Sequence, residues 1–266
     1  MEPEGAPAVA EFDISRHRDG SAARALDVVA REEPLEIRLN GRTLVYLMRL
    51  PGDDVPLAVG FLVSEGLIRE RRQIELIHHC EDPPGNLVEI EARLDAESSL
   101  LGEARVVRTG CGGADLDREV DCDGITVESE TRFPPGVIAR MPDLLLERQE
   151  IFKMTGGTHG AGIFDNRGRV AVVKEDVGRH NAVDKVIGFM LLSGEGTGDR
   201  GLVLSGRLSY EMVLKAARAG IPLICSVSAP TSLGVEVGVR TGVTMVGFLR
   251  GGNFNIYTRP ERIGGD

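Results

Sequence analysis

Alternating apolar and polar positions open the patterned part of the chain. Leu26-Val28-Val29 and then Pro34 to Leu50 alternate as strands. Asn40-Gly41 supplies the two positive φ angles of a type I′ turn, so a hairpin is predicted there. Pro51-Gly52-Asp53-Asp54 breaks the alternation. From Val55 to Leu67, Leu57, Val59, Phe61, Val63 and Leu67 fall near helical spacing, with Gly66 closing the run, and predict one helix on the sheet. Gln73 to Cys80, Asn86 to Arg93 and Ala104 to Thr109 read as short strands, separated by Pro83-Pro84-Gly85 and an acidic stretch.

The rhythm changes at Phe133-Pro134-Pro135-Gly136, which reads as a linker or hinge. Beyond it the pattern predicts a helix from Pro142 to Phe152, a glycine loop from Thr155 to Gly162, a strand from Val170 to Lys174 and a helix from His180 to Leu192. A strand Gly201 to Leu204, a helix Tyr210 to Ala219, a strand Pro222 to Val227, a helix from Ser232, and strands Val243 to Phe248 and Phe254 to Thr258 complete it. Such alternation predicts an α/β fold with a mostly parallel sheet and its functional loops at the strand ends. The expected division is a loose polar leader over 1–22, a small α+β domain over 23–135 and an α/β domain over 136–266.

Composition narrows the function classes. With 266 residues, 42% of them hydrophobic and 27% charged, the chain has the make-up of a soluble globular protein. A net charge of -10 argues against general binding to nucleic acid or an acidic membrane face. No apolar run approaches the ~20 residues of a membrane span, and Met1-Glu-Pro-Glu-Gly lacks the features of a signal peptide, so a cytoplasmic protein is expected. Cys80, Cys111, Cys122 and Cys225 form no CxxC pair, which leaves no disulfide framework or zinc site written in the sequence.

Of these, Cys111 stands apart. In Thr109-Gly-Cys-Gly-Gly-Ala-Asp115, glycines flank it on both sides, leaving few side chains to pack a core thiol and letting backbone N–H groups converge on an anionic sulfur. A reactive thiolate and a small core residue are the two readings. A phosphatase-type loop would place an arginine where Asp117 stands, and Arg118 falls one position late.

Polar groups also gather in Lys174-Glu-Asp-Val-Gly-Arg-His-Asn-Ala-Val-Asp-Lys185, where His180 and Asp184 share one helix face and Asn181 and Lys185 the next. That is either a ligand pocket or a solvated helix start. Ser205-Gly-Arg-Leu-Ser209 lies between a strand and a helix and suits a phosphate, although Ser209 as an N-cap explains part of it. Phe248-Leu-Arg-Gly-Gly-Asn253 reads as a hairpin turn whose arginine points to anion contact. His159 has Ala161 where a zinc deaminase places its glutamate, and catalytic zinc is not expected.

Seven blocks in unbroken order carry a family resemblance: Phe61–Gly66, Thr109–Gly112, Thr155–His159, Glu175–Lys185, Ser205–Ser209, Ser228–Ser232 and Arg250–Thr258. Together they resemble the FdhD/NarQ family of formate dehydrogenase accessory sulfurtransferases. The resemblance implies a small N-terminal domain, a cytidine-deaminase-like second domain without zinc, and a homodimer. It further implies a sulfurtransferase that carries persulfide sulfur from a cysteine desulfurase to a bis-molybdopterin guanine dinucleotide cofactor of molybdenum or tungsten, for formate dehydrogenase. Cys111 matches the persulfide-bearing cysteine, and Phe248, Leu249, Arg250, Gly251, Gly252 and Asn253 match the cofactor-binding segment.

Two departures stand out. Ala114 occupies the second position of a common CxxC, so one thiol must carry the sulfur alone, and Gly234 and Gly238 stand where the family pattern has alanines, which predicts a shorter helix. A non-catalytic carrier of the guanine dinucleotide and a deaminase-like nucleotide enzyme are the alternatives; a bound zinc would revive the second.

Overall fold

A computed structural model describes residues 8–80, 86–94, 122 and 124–265. The strand expected over 104–109 and the Cys111 loop lie outside the described residues. The leader expected over 1–22 is replaced from Val9 by an antiparallel ribbon, β1 (Val9–Arg18) and β2 (Ser21–Ala30). Its alternation of Phe12 and Ile14 with charged residues is a strand pattern with both faces largely polar, and Asp19-Gly20, both at positive φ, makes its turn.

The predicted hairpin is present as β3 (Glu33–Leu39) and β4 (Arg42–Arg49) around Asn40-Gly41. After α1 (Asp54–Ser64) come β5 (Ile74–Cys80) and β6 (Leu87–Ala92), giving a four-stranded sheet in the order β4-β3-β6-β5.

The second half holds α2 (Pro135–Glu147), α3 (Glu150–Thr155), β7 (His159–Phe164), β8 (Val170–Asp176), α4 (Arg179–Ser193) and β9 (Gly201–Leu204). It continues with α5 (Tyr210–Arg218), β10 (Leu223–Ser226), α6 (Ser232–Thr241), β11 (Thr244–Arg250) and β12 (Asn253–Thr258). These strands form one sheet in the order β12-β11-β10-β9-β7-β8. The fold is mixed α/β, but this sheet is parallel only across β9, β10 and β11. The other three pairings, β7–β9, β7–β8 and β11–β12, are antiparallel, the last two because they are joined by turns far too short for a parallel crossover. The glycine loop expected over 155–162 is thus half strand, with Gly160 and Gly162 buried inside β7.

Two local expectations also change. The helix starts at Pro135, not Pro142, because a proline at the first helical position loses no bond there. Pro142 sits inside α2, and the helix ends at Glu147, before α3. Nor is Phe133 part of a slack linker: it is buried, its N–H donates to the Arg262 carbonyl at 2.8 Å, and its ring meets Phe164 edge-on at 5.9 Å.

Successive residues of the central strands feed two cores. Leu202, Leu204, Ile224 and Met245 face α4, α5 and α6; Val203, Leu223, Cys225 and Val246 face α2. The first of these cores continues through α1 to Leu35, Ile37, Val88 and Ile90 of the four-stranded sheet. The join is α1 against α4, where backbones touch: a Cβ on Gly60 would overlap the Asp184 carbonyl, and one on Gly188 would overlap that of Pro56. Neither obstacle is a flexible side-chain end. Gly188→Ala is therefore expected to lose about 3 kcal/mol or more, a fall of roughly 6–12 °C in Tm, measurable by thermal melting; a Tm within 2 °C of the parent would refute the contact.

Candidate functional site

The carboxyl ends of β9, β10 and β11 open into three adjoining loops. They are laced together: the Ser226 hydroxyl donates to the Gly206 carbonyl at 2.5 Å, Leu208 N–H to the Ala229 carbonyl at 3.1 Å, and Phe248 N–H to the Ser228 carbonyl at 3.0 Å. Arg250 Nε donates to the Val227 carbonyl at 2.9 Å. The N-termini of α4, α5 and α6 open at this same edge, where unpaired N–H groups favour anions. Thr231 caps α6 by accepting from Gly234 N–H at 3.1 Å. The glycines of α6 do not shorten it below ten residues; they admit neighbours, since a Cβ on Gly234 would lie 2.6 Å from the Leu208 carbonyl oxygen and one on Gly238 2.6 Å from Met245 Sδ.

Because β7 runs antiparallel to β9, its first residue, His159, sits beside these loops. His159 Nδ1 lies 3.2 Å from Ser205 Oγ, which also accepts from Gly160 N–H at 3.0 Å. Burial, and then its neighbours Arg179 and His180, hold the His159 imidazole below its ordinary pKa, which favours the neutral ring at pH 7. His180 Nε2 meets Glu211 Oε2 at 2.7 Å, and that hydrogen bond draws the Glu211 carboxyl below its usual value. Ser209 takes the N-cap position of α5, yet its hydroxyl makes no capping bond. Arg207 is exposed on the loop between β9 and α5. Sequence reasoning passed over Arg179 and Glu211, whose only signal was their place in the first turn of a helix that follows a strand.

The segment Phe248–Asn253 is the expected hairpin turn. Gly251 and Gly252 have φ 56 and 82, and Phe248, at φ 53, is half exposed. Leu249 is fully buried and anchors the turn, while Arg250 and Asn253 face outward. Arg207 and Arg250 thus share one edge of the sheet, on loops that flank the end of β10.

The polar block 174–185 is not a pocket over most of its length. Asp176 accepts from Leu50 N–H (3.1 Å), Gly178 N–H (2.9 Å) and Asn181 Nδ2 (2.9 Å), and pairs with Lys185 at 2.8 Å. Lys185 also donates to the Leu50 carbonyl at 3.0 Å, and Asn181 to that of Met48 at 2.8 Å. Asp184 is fully buried, bound by Lys215 at 2.7 Å and by the Ser64 hydroxyl at 2.5 Å. Glu175 accepts from the N–H groups of Ile151 and Phe152, each at 2.8 Å, at the start of α3. These side chains sew the two sheets together, and Arg179 and His180 alone in the block after Glu175 reach the open edge.

Cys225 is fully buried, and burial pushes its thiol far up, which makes it a core residue. Among the described residues, no three His, Cys, Asp or Glu side chains gather to hold a metal ion. No helix there is long and apolar enough to cross a membrane.

The FdhD/NarQ family model matches residues 30–264. The chain belongs to the FdhD/NarQ family. Sulfur carrier protein FdhD of Streptomyces coelicolor is 41% identical over 264 residues, 94% of each chain. Sulfur carrier protein FdhD of Saccharolobus solfataricus is 39% identical, over 96% of this chain and 98% of that one. The crystal structure of a formate dehydrogenase accessory protein from Desulfotalea psychrophila superposes with a TM-score of 0.78 at 31% identity, covering 97% of this chain and all of the other. Family membership and fold therefore agree along nearly the whole chain.

Proposed function

We propose that this protein is a cytoplasmic sulfur carrier for formate dehydrogenase. In this reading Cys111 takes sulfur from a cysteine desulfurase and delivers it to a bis-molybdopterin guanine dinucleotide cofactor of molybdenum or tungsten. The observation that carries the reading is the end-to-end match to sulfur carrier proteins of this family at about 40% identity, in a chain whose one glycine-flanked cysteine is Cys111.

The chemistry asks for a thiolate. The Cys111 thiolate attacks the outer sulfur of the donor's persulfide; the donor's S–S bond breaks, a new one forms on Cys111, and the donor leaves as a thiolate, with no net gain or loss of electrons. The cofactor is a substrate here. Its guanine dinucleotide carries two diphosphates, and the strand-end edge offers the matching donors: Arg207, Arg250, hydroxyls and the N-termini of α5 and α6. Phe248, Gly251, Gly252 and Asn253 shape the hairpin rim, and Leu249 holds it in place. The assembly is a homodimer in this reading.

Mass spectrometry after incubation with a cysteine desulfurase and cysteine tests it directly. A gain of about 32 Da, one sulfur atom, is expected on Cys111; sulfur found only on another thiol would sink the proposal. Arg250→Ala should keep that adduct while weakening GDP binding about tenfold or more, as read by titration calorimetry.

A further inference from the structure

Two enclosed polar groups stand without a partner where α4 and α5 begin. Arg179 Nε and the Ser209 hydroxyl are both closed off from solvent, yet among the described residues neither side chain makes a hydrogen bond or an ion pair. Other enclosed arginines of the fold are matched by carboxylates: Arg49 Nε lies 2.8 Å from Asp54, and Arg200 Nε 3.2 Å from Asp199. A buried polar group left unmet costs about 1–3 kcal/mol. An arginine in that state, with no carboxylate on it, is suited to an anionic ligand.

The surroundings keep both groups available. A Cβ on Gly206 would lie 3.3 Å from Arg179 Cδ and 3.7 Å from His159 Nδ1, so a glycine there lets Arg179 lie across the loop between β9 and α5. Ser209 holds the N-cap position of α5 without capping it, which leaves the N–H groups of that first turn uncapped; at α6, Thr231 does the capping itself. Glu211, in the first turn of α5, would repel an anion, but its carboxylate is matched by His180 at 2.7 Å.

We propose that Arg179, Ser209 and the first turn of α5 form a phosphate-binding subsite, separate from the Phe248–Asn253 hairpin. The donors set the ligand class: a guanidinium fork, a hydroxyl and uncapped backbone N–H groups together suit one phosphoryl group. What carries that group rests on the guanine dinucleotide reading given above. A diphosphate then bridges the two subsites, one phosphoryl group at Arg179 and the other toward Arg250. The ends of β9 and β11 are two strand spacings apart, about 10 Å. Arg250 is tied through Nε to the Val227 carbonyl, just past the end of β10 and so between them.

Inorganic pyrophosphate tests the subsite on the full chain without calling on the guanine. In titration calorimetry its affinity is expected to fall about tenfold or more in Arg179→Ala and about threefold in Ser209→Ala, with circular dichroism unchanged. GDP should lose as much as pyrophosphate does in each variant. A parent chain that does not bind pyrophosphate, or an Arg179→Ala chain that binds it within about twofold of the parent, would overturn the subsite. If the parent holds GDP no more tightly than pyrophosphate while Arg179→Ala weakens both, the subsite stands and the guanine reading falls.

Discussion

Cys111→Ala is expected to abolish sulfur loading and to drop formate dehydrogenase activity in complemented cells by about two orders of magnitude or more. The effect is large because the two buried described thiols cannot take over. Cys225 is sealed in the core and its thiol is pushed up by burial, so it holds almost no thiolate at neutral pH. Cys122 is buried too, while Cys80, partly exposed at the end of β5, lacks the flanking glycines of Cys111. Labile sulfide released by reductant, together with formate oxidation in cell extract, reads the result. Should Cys111→Ala load sulfur like the parent and still support the enzyme, the carrier role of Cys111 fails; activity kept by Cys111→Ala but lost by Arg250→Ala would favour the non-catalytic carrier.

Lys215→Met is expected to cost about 3–5 kcal/mol at pH 8, because it strands the Asp184 carboxylate in the core. Burial raises the Asp184 pKa, while the Lys215 ammonium and the Ser64 hydroxyl pull it back down. A folded-state value above the unfolded one means that the folded chain holds this proton more tightly. The resulting stabilisation is complete below the unfolded pKa and is lost as pH rises through the folded one. Removing Lys215 raises the folded value further and widens that window upward. The deficit of Lys215→Met should therefore shrink on acidification, by at most about 1.4 kcal/mol per pH unit. Urea unfolding at pH 5 and pH 8 measures it; an equal deficit at both, or a greater one at pH 5, would contradict the assignment. Replacing Asp184 with Leu as well should recover much of the loss.

Local turn chemistry made much of the fold legible. Asn40-Gly41 and Gly251-Gly252 announce hairpins that are present, and Gly201–Leu204 is bounded as predicted. Asp19-Gly20 carried the same signal and was missed, because the flanking strands lack a buried face and so read as unpatterned. Pro142 misled for a different reason: a helix already under way tolerates it when tertiary packing holds Val137, Ile138, Met141 and Leu145 in place. The polar block 174–185 was ambiguous in principle. Whether Asp184 meets water, a ligand or Lys215 depends on residues 31 positions away. The strand-end rim was foreseeable loop by loop, but its assembly depends on strand order, which places the ends of β9, β10 and β11 side by side.

The glycine contact between α1 and α4 also bears on how partners arrive. Backbone pressed on backbone at Gly60 and Gly188, with Asp176, Asn181 and Lys185 bonded across the same seam, leaves no slack for hinge bending between the two sheets. In the proposed role, a sulfur donor or an acceptor that meets the described sheets would find them preset, and binding there should follow rigid-body behaviour. Encounter would then be set by diffusion and charge, and substitutions on that surface would change how long each partner stays more than how fast it comes.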